Sequence, residues 1–208
     1  KDSVDMKQYE PAMRFLLDTY VRAKPSEQLV EIEDLGLVDL IVKKGAEALD
    51  DLPEGIKESQ ENMAETIENN VRRTIVDENP VNPKYYEQMS TLLAELINLR
   101  KQKAIEYQDY LEKIIALAKM VKVPSDADDK YPSSMDTQAK KAFYDNFGKN
   151  ESLVTMLDRT IRETKKADWI GDRFKEREIA RAVADTAAGY DINVTDVIEL
   201  AKKQKDYQ

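Results

Sequence analysis

The chain has 208 residues, with 32 Lys and Arg against 41 Asp and Glu, a formal net charge of −9, and neither histidine nor cysteine. This composition excludes Ser-His-Asp and Cys-His catalysis, thiolate or imidazole metal sites and disulfides. Carboxylate, lysine or hydroxyl chemistry remains, as does a chain that binds without catalysis. The acidity is uneven, because residues 1–100 hold 12 basic and 21 acidic side chains and residues 101–208 hold 20 of each. An acidic first half argues against a nucleic-acid surface there.

Six glycines and seven prolines are few turn residues for a chain of this length, so the elements between turns are expected to be long. Apolar residues recur at three- and four-residue spacing, and no segment shows the period of two that is typical of strands. We therefore predict an all-α fold, a bundle of about seven to nine helices with no sheet. No apolar run is long enough to span a membrane, and the start lacks a signal peptide's apolar core. The lack of an initiating Met suggests a piece of a longer protein, with a cytoplasmic origin as the default expectation.

Proline and glycine positions divide the chain into the expected helices. Proline favours the first turn of a helix, and glycine or proline ends one. On this basis we predict helices over residues 11–24, 37–44, 53–78, 83–122, 137–147, 151–166, 172–188 and 194–203, the third of them opened by a turn at residues 53–55. The stretch 83–122 has neither Gly nor Pro, but its apolar spacing is lost between Lys101 and Ile105. Two helices are therefore favoured over one long rod.

The segment Asn79-Pro80-Val81-Asn82-Pro83 is the clearest break in the chain, because the residue before each proline is pushed out of helical geometry. We take it as the boundary between an acidic helical segment, residues 1–79, and a second helical domain, residues 80–208. Residues 124–132 are rich in Asp, Ser and Pro, and this composition predicts a loop.

Two patterns resemble phosphate or calcium sites but lack required residues. A phosphate-binding loop ending in Gly148-Lys149 would need a glycine where Phe143 stands, so this glycine is expected to end a helix. A calcium loop opened by Asp126 would need Gly at Tyr131 and Glu at Thr137. Its aspartates therefore favour a solvated acidic loop; they are Asp126, Asp128 and Asp129.

Three glutamates project from one face of the predicted helix over residues 53–78, namely Glu61, Glu65 and Glu68. Carboxylates facing each other in a helix bundle can hold di-iron, but that site also uses histidines, which this chain lacks. A polar, solvated helix face is the favoured interpretation. A magnesium site built from carboxylates and a lysine remains open by residue type, although no spacing points to one.

The strongest candidate for function is a basic run in the second half. Residues 159–181 carry eight basic and five acidic side chains, a local net charge of +3. Two rows of cations at helical spacing flank the only tryptophan, and the candidate contact residues are Arg159, Arg162, Lys166, Trp169, Arg173, Arg177 and Arg181. Arginines on one face beside an aromatic ring can hold phosphates or an acidic partner. Alternatively, interleaved carboxylates neutralise each row and the tryptophan fills the core.

Four tyrosines recur in the central stretch at Tyr85, Tyr86, Tyr107 and Tyr110. A tyrosine ring packs well between helices, while its hydroxyl needs a hydrogen-bonding partner or water. We predict that these rings lie in the core and that their hydroxyls reach the surface. A binding role for them is the less favoured alternative.

Several strings of this sequence go beyond generic helix composition when they are taken in order. They are NPKYYEQMS (82–90), YQDYLEKI (107–114), YP (131–132), KAFYDN (141–146), DWIGDRFKE (168–176) and ELAKKQ (199–204). Together they closely resemble the C-terminal helical region of the R (restriction, motor) subunit of type I restriction-modification enzymes. Two earlier strings, DMKQYEPAMR (5–14) and ETIENNVR (65–72), look like the segment that links this region to the motor. The resemblance covers nearly the whole chain.

The resemblance implies a part of a large enzyme that is not itself an enzyme. In this family the R subunit has a nuclease domain near its N-terminus, which cuts DNA. Two helicase-type lobes in the middle use ATP and Mg to pump DNA. The helical C-terminal region follows them and is thought to support assembly. None of the family's nuclease, ATP-binding or helicase motifs occurs in this sequence, so no catalytic residue and no cofactor are carried over. The implied partners are the methyltransferase and specificity subunits and the rest of the R subunit.

Two other function classes remain as alternatives. The basic run around Trp169 can be a direct contact to the DNA backbone, whose affinity should fall steeply with salt. The acidic side chains can belong to a carboxylate-metal enzyme, which should gain thermal stability on adding magnesium or manganese. No membrane partner is expected.

Overall fold

The computed structural model describes residues 36–124 and 131–208. Within these ranges the chain forms nine α-helices and no strand, which confirms the prediction of an all-α bundle. The helices are α1 Leu37–Lys44, α2 Glu54–Lys57, α3 Gln60–Glu78, α4 Pro83–Lys101, α5 Tyr107–Lys122, α6 Gln138–Asn146, α7 Glu151–Thr164, α8 Arg173–Thr186 and α9 Val194–Lys202. None of these helices has the length and apolar character needed to cross a bilayer. The helix predicted over residues 11–24 and the aspartate loop with Asp126, Asp128 and Asp129 lie outside the described residues.

A first hydrophobic core lies among α1, α3, α4 and α5. In α3 the buried stripe includes Ile67, Val71 and Ile75, which recur at the predicted three- and four-residue spacing. The helix α1 ends as predicted at Gly45, whose φ of 65° is a conformation that glycine adopts without strain. Short-range signals therefore place both the core face and the end of a helix correctly.

The helix predicted from residue 53 to residue 78 is interrupted, which the sequence analysis missed. The short α2 ends at Lys57, and α3 begins only after Ser59 adopts an extended backbone. The Ser59 hydroxyl accepts a hydrogen bond from the backbone N–H of Asn62 at 3.0 Å. Because this N-cap satisfies a free donor at the helix start, it favours a new helix over continuation of the first.

The stretch 83–122 forms two helices, so the single-rod alternative is wrong. The Asn82 side chain caps α4, and the proline that follows occupies the first helical position. After α4 the chain turns through Lys103, which has a φ of 53°, and the Ala104 N–H donates to the Leu99 carbonyl at 2.9 Å. The helix α5 then packs against both α4 and α3.

A second hydrophobic core lies among α6, α7, α8 and α9, and it includes the C-terminal 3₁₀ turn Lys205–Tyr207. Its four helices all begin at a residue whose side chain accepts a backbone N–H bond, namely Thr137, Asn150, Asp172 and Asn193. Such caps determine where each helix begins and therefore which side chains point into the core. The cap at Asn150 was predicted, and the helix ends at Gly148 and Gly189 take positive φ values as expected.

A polar junction joins the two cores, formed by Asn82, Tyr131, Asp145, Asn146 and Gln204. The Asn82 amide donates to Asp145 Oδ2 at 2.7 Å and accepts from the Asn146 amide at 2.8 Å. The Tyr131 hydroxyl donates to the same oxygen of Asp145 at 2.7 Å. Gln204 is buried, and its side-chain amide donates to the backbone carbonyl of Val81 at 2.8 Å. Because these polar groups satisfy one another, the two cores can be held together without burying unpaired donors.

The predicted domain boundary at residues 79 and 80 stays a prediction. The 3₁₀ turn Asn79–Val81 joins α3 to α4, two helices that share the first core. The change from the first core to the second falls between Val121 and Met135.

Candidate functional site

The predicted basic face divides into a paired part and an unpaired part. On α7, the Arg159 guanidinium lies 2.7 Å from the Glu163 carboxylate, one helical turn away. Just after α7, the Lys166 ammonium lies 2.6 Å from the Glu178 carboxylate of α8. All four side chains are largely solvent-exposed, so these ion pairs add little stability. They do neutralise two of the cations that were candidates for contact with a partner.

Arg162, whose side chain is 40% exposed, packs against the buried side chains of Asp158 and Tyr207. The Arg162 guanidinium lies 3.0 Å from the Asp158 carboxylate and 5.3 Å from the centre of the Tyr207 ring. The Tyr207 hydroxyl donates to the same carboxylate at 2.8 Å. Burial, reinforced by the charge of Asp158, raises the pKa of this hydroxyl above its ordinary value. Arg162 therefore stabilises the fold and is a poor candidate for binding a partner.

Trp169 is a core residue, which corrects its inclusion in the predicted contact surface. Its side chain is 2% exposed, and its indole N–H donates to the Tyr207 carbonyl at 2.8 Å. The physical reason is that a large ring between two amphipathic helices gains more from burial than from exposure. The tryptophan joins the loop before α8 to the C-terminal turn of the chain.

The arginines of α8, unlike Arg159 and Lys166, are exposed without an ion-pair partner among the described residues. Arg173, Arg177 and Arg181 are all exposed, and no salt bridge within the described part of the chain neutralises any of them. The aromatic side chain beside them is Phe174, which is 83% exposed. We define the outer face of α8 by these four residues. Sequence reasoning singled out the three arginines but missed Phe174, because no local pattern distinguishes an exposed ring from a buried one.

A shallow groove of about 450 Å³ runs beside this face and is lined by α8 and the end of α7. Phe174, Arg177 and Arg181 contribute to it, together with the carboxylates of Glu178 and Asp185. The groove therefore combines an apolar ring with charges of both signs. Of these residue types, the aromatic ring and the arginines are the ones enriched where proteins contact other proteins.

The start of α8 is held by Asp172, whose carboxylate accepts hydrogen bonds from the backbone N–H groups of Phe174 at 2.9 Å and Lys175 at 3.3 Å. These two donors, that of Lys175 first, lower the pKa of Asp172 below its ordinary value of 3.8. The cap fixes the first turn of α8 and thereby the position of Arg173 and Phe174. The outer face is therefore presented by an ordered helix.

We expect a pH-dependent contribution to stability from Asp172. Because its folded-state pKa is lowered, the contribution is complete above the ordinary value of 3.8 and is lost as the pH falls through the folded-state pKa. An Asp172→Asn variant keeps a capping oxygen and removes the charge, so its melting temperature should fall below that of the unaltered chain near neutral pH. The difference should shrink near pH ~3. Thermal denaturation followed by circular dichroism measures both values.

The control for this prediction is Asp185→Asn, which removes the same charge from the other end of α8, where the helix dipole disfavours an acid. This variant should not lower the melting temperature near neutral pH. An Asp172→Asn difference that is equally large at both pH values would contradict a role for the ionised carboxylate.

The glutamate face predicted on α3 is wrong for Glu68, which is 5% exposed. The Arg100 guanidinium of α4 donates to both Glu68 oxygens, at 2.8 Å and 3.2 Å. The Tyr110 hydroxyl of α5 donates to the same carboxylate at 2.8 Å. The exposed carboxylate of Glu61 lies 2.6 Å from the Arg100 guanidinium. A buried charge requires partners of this kind, so these acids hold three helices together.

The tyrosine hydroxyls also differ from the prediction that they reach the surface. Tyr85 and Tyr86 donate to backbone carbonyls at the end of α5, at 2.8 Å and 3.3 Å. Burial, with a smaller contribution from the charge of Asp145, raises the pKa of Tyr85 to about 12. The Tyr107 hydroxyl is buried, and it has no hydrogen-bonding partner among the described residues. The rings lie in the core as predicted, and the hydroxyls are enclosed with them.

Comparisons with known proteins do not identify a family or a function for this chain. The sequence matches no protein-family model, and neither curated proteins nor solved structures show a significant match. In the described part of the chain, no group of three or more acidic side chains is arranged to hold a metal ion. The function must therefore be inferred from the residues and their placement.

Proposed function

We propose that this chain is a non-catalytic helical interaction module of the R subunit of a type I restriction-modification enzyme. It would dock the motor subunit onto the methyltransferase and specificity core. The parent protein would be an ATP-dependent, DNA-translocating site-specific deoxyribonuclease of the cytoplasm. ATP and Mg would act in its other domains.

The observation that carries the proposal is the way in which the resembling strings meet in space. Four of them, at 82–90, 131–132, 141–146 and 199–204, contribute the five residues of the polar junction. Gln204 of the last string donates to the carbonyl of Val81, which lies 123 positions earlier and directly before the string at 82–90. Strings that match a family by chance have no reason to converge on one set of hydrogen bonds. Their convergence supports a shared fold framework.

A second convergence has the same form. The string at 107–114 supplies Tyr110, and the earlier string at 65–72 supplies Glu68, to which the Tyr110 hydroxyl donates. The string at 168–176 supplies Trp169, which donates to the C-terminal turn. The residues behind the resemblance thus serve mainly to hold helices together. This distribution fits a scaffold for assembly.

Complex formation tests the proposal. The purified chain is mixed with the methyltransferase and specificity complex encoded beside it, and the mixture is separated by size-exclusion chromatography. Co-elution of the chain with the complex is expected. Separate elution, together with normal assembly by an R subunit that lacks this region, would overturn the proposal.

A second candidate function is direct contact with the DNA backbone, which the unpaired arginines of α8 favour. Affinity for a labelled duplex should then fall steeply as salt rises, because each neutralised phosphate releases counterions. Changing Arg173, Arg177 and Arg181 to Glu should abolish it. No affinity at low salt would exclude this function for the isolated chain, whose net charge is −9.

A further inference from the structure

We propose that the outer face of α8 is the docking surface for an acidic segment of the methyltransferase and specificity core. This segment would also present an apolar side chain. The inference rests on the proposed function and names the face and the chemistry through which docking occurs. It follows from three properties of Arg173, Phe174, Arg177 and Arg181.

The first property is the spacing of the charges. Arg173, Arg177 and Arg181 follow one another every four residues, so they lie along one side of α8 at steps of about 6 Å. Carboxylates placed four residues apart on a partner helix repeat at the same distance. Arginine binds a carboxylate through two parallel hydrogen bonds, which makes each such pair directional. The row of arginines therefore complements an acidic helix face.

The second property is the exposed ring between these charges. Phe174 stands one turn before Arg177 and two turns before Arg181, and 83% of its surface is open to solvent. Burying most of a phenylalanine side chain is among the largest favourable contributions that one residue can make to an interface. Aromatic and arginine side chains are also the residue types enriched at interface centres. The Phe174 ring thus provides an apolar anchor next to the arginines of the outer face.

The third property is the presence of acids in the same groove. Glu178 and Asp185 line it beside Arg177 and Arg181. Lys166 already pairs with Glu178, so the repulsion that a purely negative phosphate backbone would meet in this groove comes mainly from Asp185. A protein segment can place an apolar or basic side chain opposite Asp185 and its acids opposite the arginines. The charge pattern therefore favours a protein partner over nucleic acid.

The face is already ordered before any partner binds. The opposite side of α8 is anchored in the second core by Ile179 and Val183. Asp172 caps its first turn, and Lys166 ties Glu178 to the end of α7. A rigid face loses less conformational entropy on binding than a flexible one. Only the four side chains themselves need to be immobilised.

The test measures the dissociation constant between the chain and the purified methyltransferase and specificity complex by titration calorimetry. The variants are Phe174→Ala and the double change Arg177→Glu with Arg181→Glu, and all three sites are exposed, so folding should be unaffected. Each variant should weaken binding at least about tenfold. The control is Arg73→Glu, at an exposed arginine on α3, a helix that packs in the first core and not the second, and this change should leave binding unchanged.

The outcomes separate the inference from the proposed function. If the unaltered chain binds and the α8 variants bind equally well, the face is wrong while the docking function stands. If the unaltered chain does not bind, the proposed function fails and the inference with it. If the variants lose only affinity for a labelled DNA duplex and keep the protein complex, the face belongs to nucleic acid and the proposal is overturned.

Discussion

Replacing Arg100 with methionine should lower the free energy of unfolding by about 3–5 kcal/mol, the usual cost of leaving one member of a buried ion pair uncompensated. The Arg100 and Glu68 side chains are both less than one-tenth exposed, and the guanidinium contacts both carboxylate oxygens. Without Arg100, the Glu68 carboxylate would keep the Tyr110 hydroxyl as its remaining partner in that contact. Urea denaturation followed by circular dichroism measures the loss.

Two companion variants distinguish the charge effect from lost packing. The double change Arg100→Met with Glu68→Gln removes both charges and should recover much of the stability, because a neutral amide is less costly to bury than a lone carboxylate. Glu61→Gln affects only the exposed partner of Arg100 and should cost less than about 1 kcal/mol. A double variant no more stable than Arg100→Met alone would contradict the ion-pair explanation.

Replacing Tyr207 with alanine should destabilise the second core by about 3–5 kcal/mol, as removal of a buried aromatic ring typically does. This residue, the last but one in the chain, is fully buried against Phe143. Its hydroxyl binds Asp158, its carbonyl accepts the Trp169 indole N–H, and its ring lies beside Arg162. Thermal denaturation and the fluorescence of the single tryptophan report the change.

Tyr207→Phe provides the matched comparison, because it keeps the ring and removes only the hydroxyl. It should cost about 1.5–3 kcal/mol, the usual range for a hydrogen bond to a charged group. Tyr190→Ala, at a partly exposed tyrosine before α9, should have a much smaller effect than Tyr207→Ala. Equal effects at Tyr190 and Tyr207 would contradict the structural role of the C-terminal turn.

Local signals predicted much of the fold. The end of α1 at Gly45, the cap at Asn150 and the break between α4 and α5 each depend on residues within one or two turns. Apolar spacing identified the buried stripe of α3 for the same reason. Where a structural feature is decided by neighbouring residues, the sequence is sufficient to predict it.

The predictions are wrong where residues far apart in the sequence determine whether a side chain is buried. Glu68 fits a solvated helix face by its spacing, but it is buried because Arg100 lies 32 positions later and Tyr110 lies 42 positions later. The helix start after Ser59 is the exception, because its cap is made by a residue only three positions away. Long-range pairing of a charge leaves no periodic pattern in the sequence.

The outer face of α8 could be predicted only in part, because spacing along a helix is local but the burial of a ring is not. The three arginines of α8 follow a simple four-residue spacing and are exposed. Trp169 is buried instead of exposed, and its indole N–H donates to the Tyr207 carbonyl of the C-terminal turn, 38 positions away. Spacing can place side chains on a common helix face, but tertiary contacts decide which face is covered.

The most direct measurement of the central claim is a competition experiment. A labelled full-length R subunit is assembled with the methyltransferase and specificity core while increasing amounts of this chain are added. If the chain is the docking module, it should displace the R subunit in proportion to its concentration, and the Phe174→Ala variant should displace it less well. Undiminished assembly at about a hundredfold excess of the chain would contradict the claim.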